Sequence, residues 1–247
     1  MKIEEILNTV IQGDCLKIMG DFPDQSVDLV LTDPPYGLTS NYWDTFPDIR
    51  TWWNEVRRIS KGPIIMTASQ PFSSQIVMSN LENFRHEWIW HKNAGSNFAN
   101  TVREPMKEHE HILVFSKSKW TYNKQMEERA KSGQDRIKTA VKFESASDNY
   151  GAFERVETKV MPNLRVPSSV QKFNRERGKH PTQKPTKLMG YLIKTYSNEG
   201  DIILDPFSGS GTTCVAAKQL GRRYCGIEIS PEYIKIAEQR LLQDILL

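Results

Sequence analysis

The sequence predicts an α/β fold on a largely parallel sheet, and three observations carry that prediction. Short apolar, β-branched runs bounded by turn residues alternate with segments of helical periodicity. A glycine-rich turn stands between a strand and a helix late in the chain. The 247 residues, 38% of them hydrophobic, suffice for one large core with or without an insert.

The strand candidates are 8–13 (NTVIQG), 27–32 (VDLVLT), 62–67 (GPIIMT), 86–91 (HEWIWH), 111–116 (HILVFS), 201–205 (DIILD) and 223–229 (RYCGIEI). Between them, residues 48–60 put Ile49, Trp52, Trp53, Val56 and Ile59 at helix spacing, and residues 185–197 do the same with Leu188, Tyr191, Leu192 and Tyr196. Ser230-Pro231 reads as a helix start, a serine cap ahead of a first-turn proline, before EYIKIAEQRLLQDIL. Residues 117–179 break this rhythm: charges, Ser, Asn and Gly dominate, and apolar residues follow no sustained period. They read as an insert carried by the α/β frame.

Composition excludes several classes. A mean hydropathy of −0.55, with no apolar run near eighteen residues, excludes a membrane-spanning helix. The start, MKIEEILNTV, lacks the pattern of a secretory signal, so a cytoplasmic protein is expected. Cys15, Cys214 and Cys225 are far apart and form no C-x-x-C pair; they read as reduced thiols, and no metal site is expected. The net charge of +3 is uneven. Between Ser116 and His180 there are 15 Lys+Arg and 8 Asp+Glu, a balance of +7 inside an otherwise mildly acidic frame. Such a segment suits a polyanion.

Asp205-Pro206-Phe207-Ser208-Gly209-Ser210-Gly211-Thr212-Thr213 follows the strand IILD and precedes the helix TTCVAAKQL. Glycines there let a ligand approach the backbone. Glu228, at the end of the next strand, is placed to accept from ribose hydroxyls. Together they indicate a nucleoside-containing cofactor. Asp205 at the loop entry would repel a pyrophosphate and suits an ammonium group, such as the methionine end of S-adenosylmethionine. Only one strand and one helix follow Asp205, so the rest of the sheet must come from the N-terminal strands: a circular permutation.

The strand VDLVLT runs into Asp33-Pro34-Pro35-Tyr36. Two prolines fix φ and remove two backbone donors. Asp33 and the Pro34 carbonyl then form a rigid acceptor pair matched to an NH₂ group, beside an aromatic face on Tyr36 for a flat heterocycle. A nucleobase amine is a poor nucleophile because its lone pair is delocalised. Two acceptors on its protons direct that lone pair at an electrophile, and Asp33 stabilises the positive charge developing on nitrogen. A Pro-Pro turn with a capping Asp is the alternative.

Here the chain resembles the β-group amino-methyltransferases of DNA, the N6-adenine and N4-cytosine enzymes of restriction–modification systems. The resemblance rests on GDCLK (13–17), DPPY (33–36), EHILVFSK (110–117), HPTQKP (180–185), DPFSGSGTT (205–213) and GIEISPEYIKIAEQR (226–240), in this order. It covers nearly all of the chain except the insert. It implies a Rossmann-like, circularly permuted, S-adenosylmethionine-dependent fold with a seven-stranded sheet. Residues 1–116 would be the catalytic half, 117–179 a target-recognition insert and 180–247 the cofactor half. Asp33, Pro34, Pro35 and Tyr36 would hold a base swung out of the duplex. Asp14 and Cys15 would face the cofactor's adenine; Glu228 would take its ribose, and Asp205, Phe207, Gly209, Gly211 and Thr212 its methionine side. His180 and Lys184 would flank it, with Lys184 meeting its carboxylate. Asp14 also fits a helix cap at Cys15, and His180 an ordered loop before Pro181.

The resemblance further implies direct methyl transfer to double-stranded DNA. None of the three cysteines follows a proline, unlike the nucleophile of cytosine carbon-5 enzymes. In the family, Asp at the first motif position usually accompanies adenine N6 and Ser usually accompanies cytosine N4, so adenine is expected, with N4-cytosine the alternative and a nucleotide-cofactor oxidoreductase more distant. Lys119, Arg129, Arg136, Arg165, Arg175 and Arg177 are candidate DNA contacts. Gly37–Pro47 reads equally as a closing segment or a fixed loop. A homodimer and a cognate restriction endonuclease are the further partners that the family admits, in a bacterial or phage setting.

Overall fold

Alternation within the apolar runs gives the central strands two buried faces. The computed structural model describes residues 3–37, 44–134, 146–147, 151–152, 163–176 and 183–243. The described chain divides into two compact units, one of residues 1–123 with 169–247 and one of residues 124–168.

The larger unit holds an eight-stranded sheet: β1 (Thr9–Gln12), β2 (Leu29–Thr32), β3 (Ile64–Ala68), β4 (Phe84–Ser96), β5 (Lys107–Phe115), β6 (Val170–Phe173), β7 (Ile202–Asp205) and β8 (Arg223–Glu228). Their spatial order is β1-β8-β7-β2-β3-β5-β4-β6. Neighbours are parallel except where β5 runs against β3 and β4. Helices α1 (Cys15–Gly20), α2 (Ile49–Ile59) and α3 (Phe72–Ser79) cover one face. There Met19, Trp52, Val56 and Ile76 pack with Val30, Ile64 and Met66. Helices α4 (Thr186–Tyr196), α5 (Thr212–Gln219) and α6 (Pro231–Leu242) cover the other. There Leu188, Ile193, Ala217 and Ala237 pack with Leu29, Leu31 and Ile65. Each large side chain buried in this way contributes about 1.5–3 kcal/mol.

The sheet extends the expected seven strands by one. β6 pairs in parallel with β4 through Val170↔Ile89 and comes from within residues 117–179. β4 and β5 also outrun their apolar segments. Residues 92–96 and 107–110 form a mostly polar hairpin arm, which no apolar alternation announces. α3 escaped the sequence reading because FSSQIVMS spans only about two turns and three of its apolar residues are consecutive, so they mark no helical stripe. Asp48 caps α2 by accepting from Thr51 N at 2.9 Å. Ser230 stands at the α6 cap position, but its side chain makes no capping bond; its backbone N instead donates to Glu228 Oε1 at 2.8 Å.

The smaller unit contains two short antiparallel ladders, Glu127–Glu128 with Leu164–Arg165 and Ala146–Ser147 with Gly151–Ala152. Arg165 pairs with Glu127 at 2.7 Å, and the Arg129 guanidinium donates to Leu164 O at 2.9 Å. Two of the candidate DNA contacts are thus engaged within the unit. Arg136 and Arg177 lie outside the described residues. Among the described residues no helix is long and apolar enough to cross a membrane.

Candidate active site

β1, β2, β3, β7 and β8 are parallel, so their carboxyl ends share one edge of the sheet, where open α/β folds bind ligands. β2 ends at Thr32, and Asp33 follows. The Tyr36 phenol lies 2.8 Å from Asp33 Oδ1, the Thr67 hydroxyl donates to the same oxygen, and Lys184 Nζ is 2.6 Å from it. With one proton each, both hydroxyls can donate to the carboxylate. Among the described residues every partner of the Asp33 side chain uses Oδ1, which orients the group and leaves Oδ2 for another donor. The turn is held from below: Asp44, buried, accepts from Tyr36 N at 2.8 Å and Gly37 N at 3.0 Å. Phe72 backs one face of the Tyr36 ring, centroids 5.3 Å apart and planes 25° apart. Burial, then Asp33 and Glu110, push the phenol's pKa well above its ordinary value.

Lys184 is only 5% exposed and lies within a chain of alternating charge. Its Nζ is 3.3 Å from Glu110 Oε2, without hydrogen-bond alignment, and 5.5 Å from the Tyr36 ring centroid. Glu110 Oε1 is 2.6 Å from Lys92 Nζ, also buried. Burial alone would push the Lys184 ammonium down, but Asp33 and Glu110 outweigh it and hold its pKa above the ordinary value. Burial likewise opposes the Glu110 carboxylate, yet Lys184 and Lys92 hold its pKa below the usual range.

The glycine turn lies beside this cluster. Asp205, 3% exposed at the end of β7, accepts from Thr32 Oγ1 at 2.6 Å and Phe207 N at 3.1 Å. The first bond ties the turn to the strand that carries Asp33. Burial pushes the Asp205 carboxyl up to about 6, beyond what these donors offset. Glu228 accepts from Gly209 N and Ser230 N, both at 2.8 Å, one on each oxygen, and each oxygen retains a lone pair. Burial raises its pKa. Gly209 has φ +51°, and a Cβ there would meet nothing within 4 Å, so the backbone is open to a ligand. Gly211 serves a different need: at φ +77° it starts α5, and a Cβ would lie 2.8 Å from that of Ala237. Ser208 Oγ is buried with no hydrogen-bond partner among the described residues, whereas the Thr213 hydroxyl helps to hold the Asp205 carboxyl down.

These groups line one cavity of about 600 Å³. It brings together Asp14, Cys15, Asp33–Tyr36, Lys184, Asp205, Phe207, Gly209, Thr212 and Glu228. Gly211 is behind that lining, in the helix contact, and His180 lies outside the described residues. Asp14 caps α1, accepting from Lys17 N at 3.0 Å. Cys15 is buried, and its thiol is pushed up to about 12 by burial, with Asp14 adding. Lys184, expected at a cofactor carboxylate, lines the cavity with its ammonium 2.6 Å from Asp33 Oδ1. Sequence reasoning missed Thr32, Thr67, Asp44, Glu110 and Lys92 as site residues. The two threonines could have been found as the polar residues closing apolar strand runs.

The sequence model of the N6/N4 DNA methylase family matches residues 27–239. The chain is similar to the type II methyltransferase M.HpaI of Haemophilus parainfluenzae, 32% identical over 94% of this chain and 73% of that protein. It is also similar to the DNA adenine methyltransferase YhdJ of Escherichia coli, 31% identical over 94% of this chain and 82% of that one. Among solved structures, the complex of M1.HpyAVI with SAM superposes with a TM-score of 0.62 at 27% identity, covering 97% of this chain and all of that one.

Proposed function

The chain belongs to the N6/N4 DNA methylase family and is a DNA methyltransferase, and from that premise we propose that it methylates adenine N6 of a base rotated out of double-stranded DNA. S-adenosylmethionine, the ligand of the M1.HpyAVI complex, is the donor. The observation that carries this reading is the shared cavity of Asp33 and the glycine turn, joined by the Thr32–Asp205 bond.

The residues present fit that donor. Asp205 is a buried acid suited to an ammonium group, Ser208 holds an unused hydroxyl, and Gly209 exposes its backbone. Glu228 retains acceptor capacity for ribose, and Asp14 and Cys15 line the far end. When bound, the donor supplies a methyl group activated by a sulfonium. The chain does the rest. Rotation of the base out of the stack costs a few kcal/mol, and stacking on the Tyr36 face opposite Phe72 offsets part of that. Asp33 Oδ2 and the Pro34 carbonyl accept the two amine protons and turn the nitrogen lone pair toward the methyl carbon. The donor held beside Asp205 and Glu228 would supply the methyl and keep the carbon–sulfur electron pair, while Asp33 stabilises the positive nitrogen until its extra proton passes to solvent water. Three donors on Oδ1 prevent that carboxylate from turning away. Target recognition falls to residues 117–179, with their +7 balance. The bacterial origin of M.HpaI and YhdJ supports action on cytoplasmic DNA.

The test is Asp33→Ala, assayed by sequencing DNA from an expressing host for methylated adenine and by calorimetry with S-adenosylmethionine. Loss of methylation with cofactor affinity within about threefold of wild type, under 1 kcal/mol, is expected. Near wild-type turnover overturns the assignment of Asp33, and methylated cytosine in place of adenine overturns the choice of base.

A further inference from the structure

β4 and β5 do not stop at the sheet edge. β3 ends where Ala68 pairs with His111, so Lys107–Glu110 of β5 continue past it, roughly 14 Å at strand rise. This arm stands over the site, because Ser96 and Lys107 at its outer end line the same cavity as Asp33. Its tip, residues 97–106, is tightly built. Asn97 adopts φ 69° and donates from its side chain to Glu104, and Phe98–Asn100 form a 3₁₀ turn. Arg103 N and Glu104 N both donate to Asn100 O, at 2.9 and 3.1 Å. Met106 packs against Gly95, and Arg175 braces the arm through Asn93 Oδ1 at 2.9 Å. This ordered tip nevertheless presents its apolar side chains to solvent: Phe98 is 78% exposed and Val102 88%. Arg103 and Lys107 lie close to them in sequence and Arg175 joins the arm below at Asn93 and Gly95, against Glu104, bound to Asn97, and Glu108.

Resting on the reading above, we propose that the tip is a wedge that enters the duplex stack where the target base has left it, with Phe98 the inserted side chain. A base held at Asp33 remains attached to its strand, so the duplex must lie across the cavity rim, where the arm stands. Rotation of a base opens an apolar slot between its neighbours, and an exposed aromatic ring on a braced loop fills such a slot. Arg103, Lys107 and Arg175 then meet the flanking phosphates.

The wedge acts only where a pair must be broken, and that sets the experiment. The methylation site is first mapped by sequencing DNA that the protein has modified. Single-turnover rates are then measured for wild type, F98A and F98W on two duplexes containing that site, one fully paired and one mismatched at the target base. F98A should lose about tenfold or more on the paired duplex and stay within about twofold of wild type on the mismatched one. F98W should retain the rate on both. Equal losses on the two duplexes, or no loss on either, overturn the wedge. So does a change in sedimentation of the free protein on F98A substitution, which would make the tip a contact with a second copy. A wild-type protein that methylates neither duplex overturns the functional reading itself.

Discussion

Replacing Lys184 by Met removes the ammonium between Asp33 and Glu110 while keeping a stem of similar length. At an effective dielectric of ~20, the contacts at 2.6 and 3.3 Å are each worth about 5–6 kcal/mol, and withdrawal of the ammonium from water cancels most of that. After substitution Glu110 keeps Lys92 at 2.6 Å, whereas Asp33 keeps only the Tyr36 and Thr67 hydroxyls. The expected loss at neutral pH is therefore about 3 kcal/mol, the low end for a broken buried pair, read from urea unfolding. Its pH dependence has a defined sign. The raised Lys184 pKa makes its contribution full below 10.5 and fading as pH rises through the folded value. The lowered Glu110 pKa makes its contribution full above 4.5 and lost as pH falls through the folded value. The difference between wild type and K184M should hold level at neutral pH and shrink at both extremes. A variant within about 1 kcal/mol of wild type, as for a surface pair, would refute the reasoning.

Three further substitutions follow from the same geometry. Asp205 binds its proton more tightly in the folded protein, so its contribution to stability is full below 3.8 and lost as pH rises through about 6. D205N lacks that slope, and urea titrations from about pH 4 to pH 7 should change the gap between the two proteins by roughly 2–3 kcal/mol; an unchanging gap contradicts the burial argument. Gly211→Ala adds a Cβ 2.8 Å from that of Ala237 at a positive φ, so thermal unfolding should report a loss of about 2–3 kcal/mol. Gly209→Ala meets no neighbour and should cost only about 1 kcal/mol for its backbone conformation, while weakening S-adenosylmethionine binding in calorimetry.

What could be read in advance was whatever local chemistry compresses into consecutive residues. Asp33–Tyr36 and Asp205–Thr213 each combine a strand end, a turn and a functional group within a few positions, and the cavity unites them. The groups that orient them could not be read that way. Thr67 reaches Asp33 because β3 lies beside β2, and Thr32 reaches Asp205 because β7 lies on the other side. Those adjacencies belong to the order of the sheet, not to any stretch of chain. Glu110 was visible as a letter in EHILVFSK, but its two lysine partners come from positions 92 and 184, and burial rather than pattern selects it. The arm of β4 and β5 was hidden for the opposite reason: its residues pair with each other and need no apolar alternation.

β7 and β8 occupy the space between β1 and β2, although they are synthesised some 170 residues or more later: Thr9 pairs with Cys225 and Leu29 with Ile203. On a ribosome, therefore, β1 and β2 emerge without neighbours on the sides that will face each other, and their ladders stay unmade until residues 202–228 leave the exit tunnel. Such distant pairings carry a high contact order and slow the search for the native state. The acid that would receive the target and the acid beside the donor also meet only once those residues have emerged. A nascent chain that stops short of β7 thus holds only part of the cavity lining.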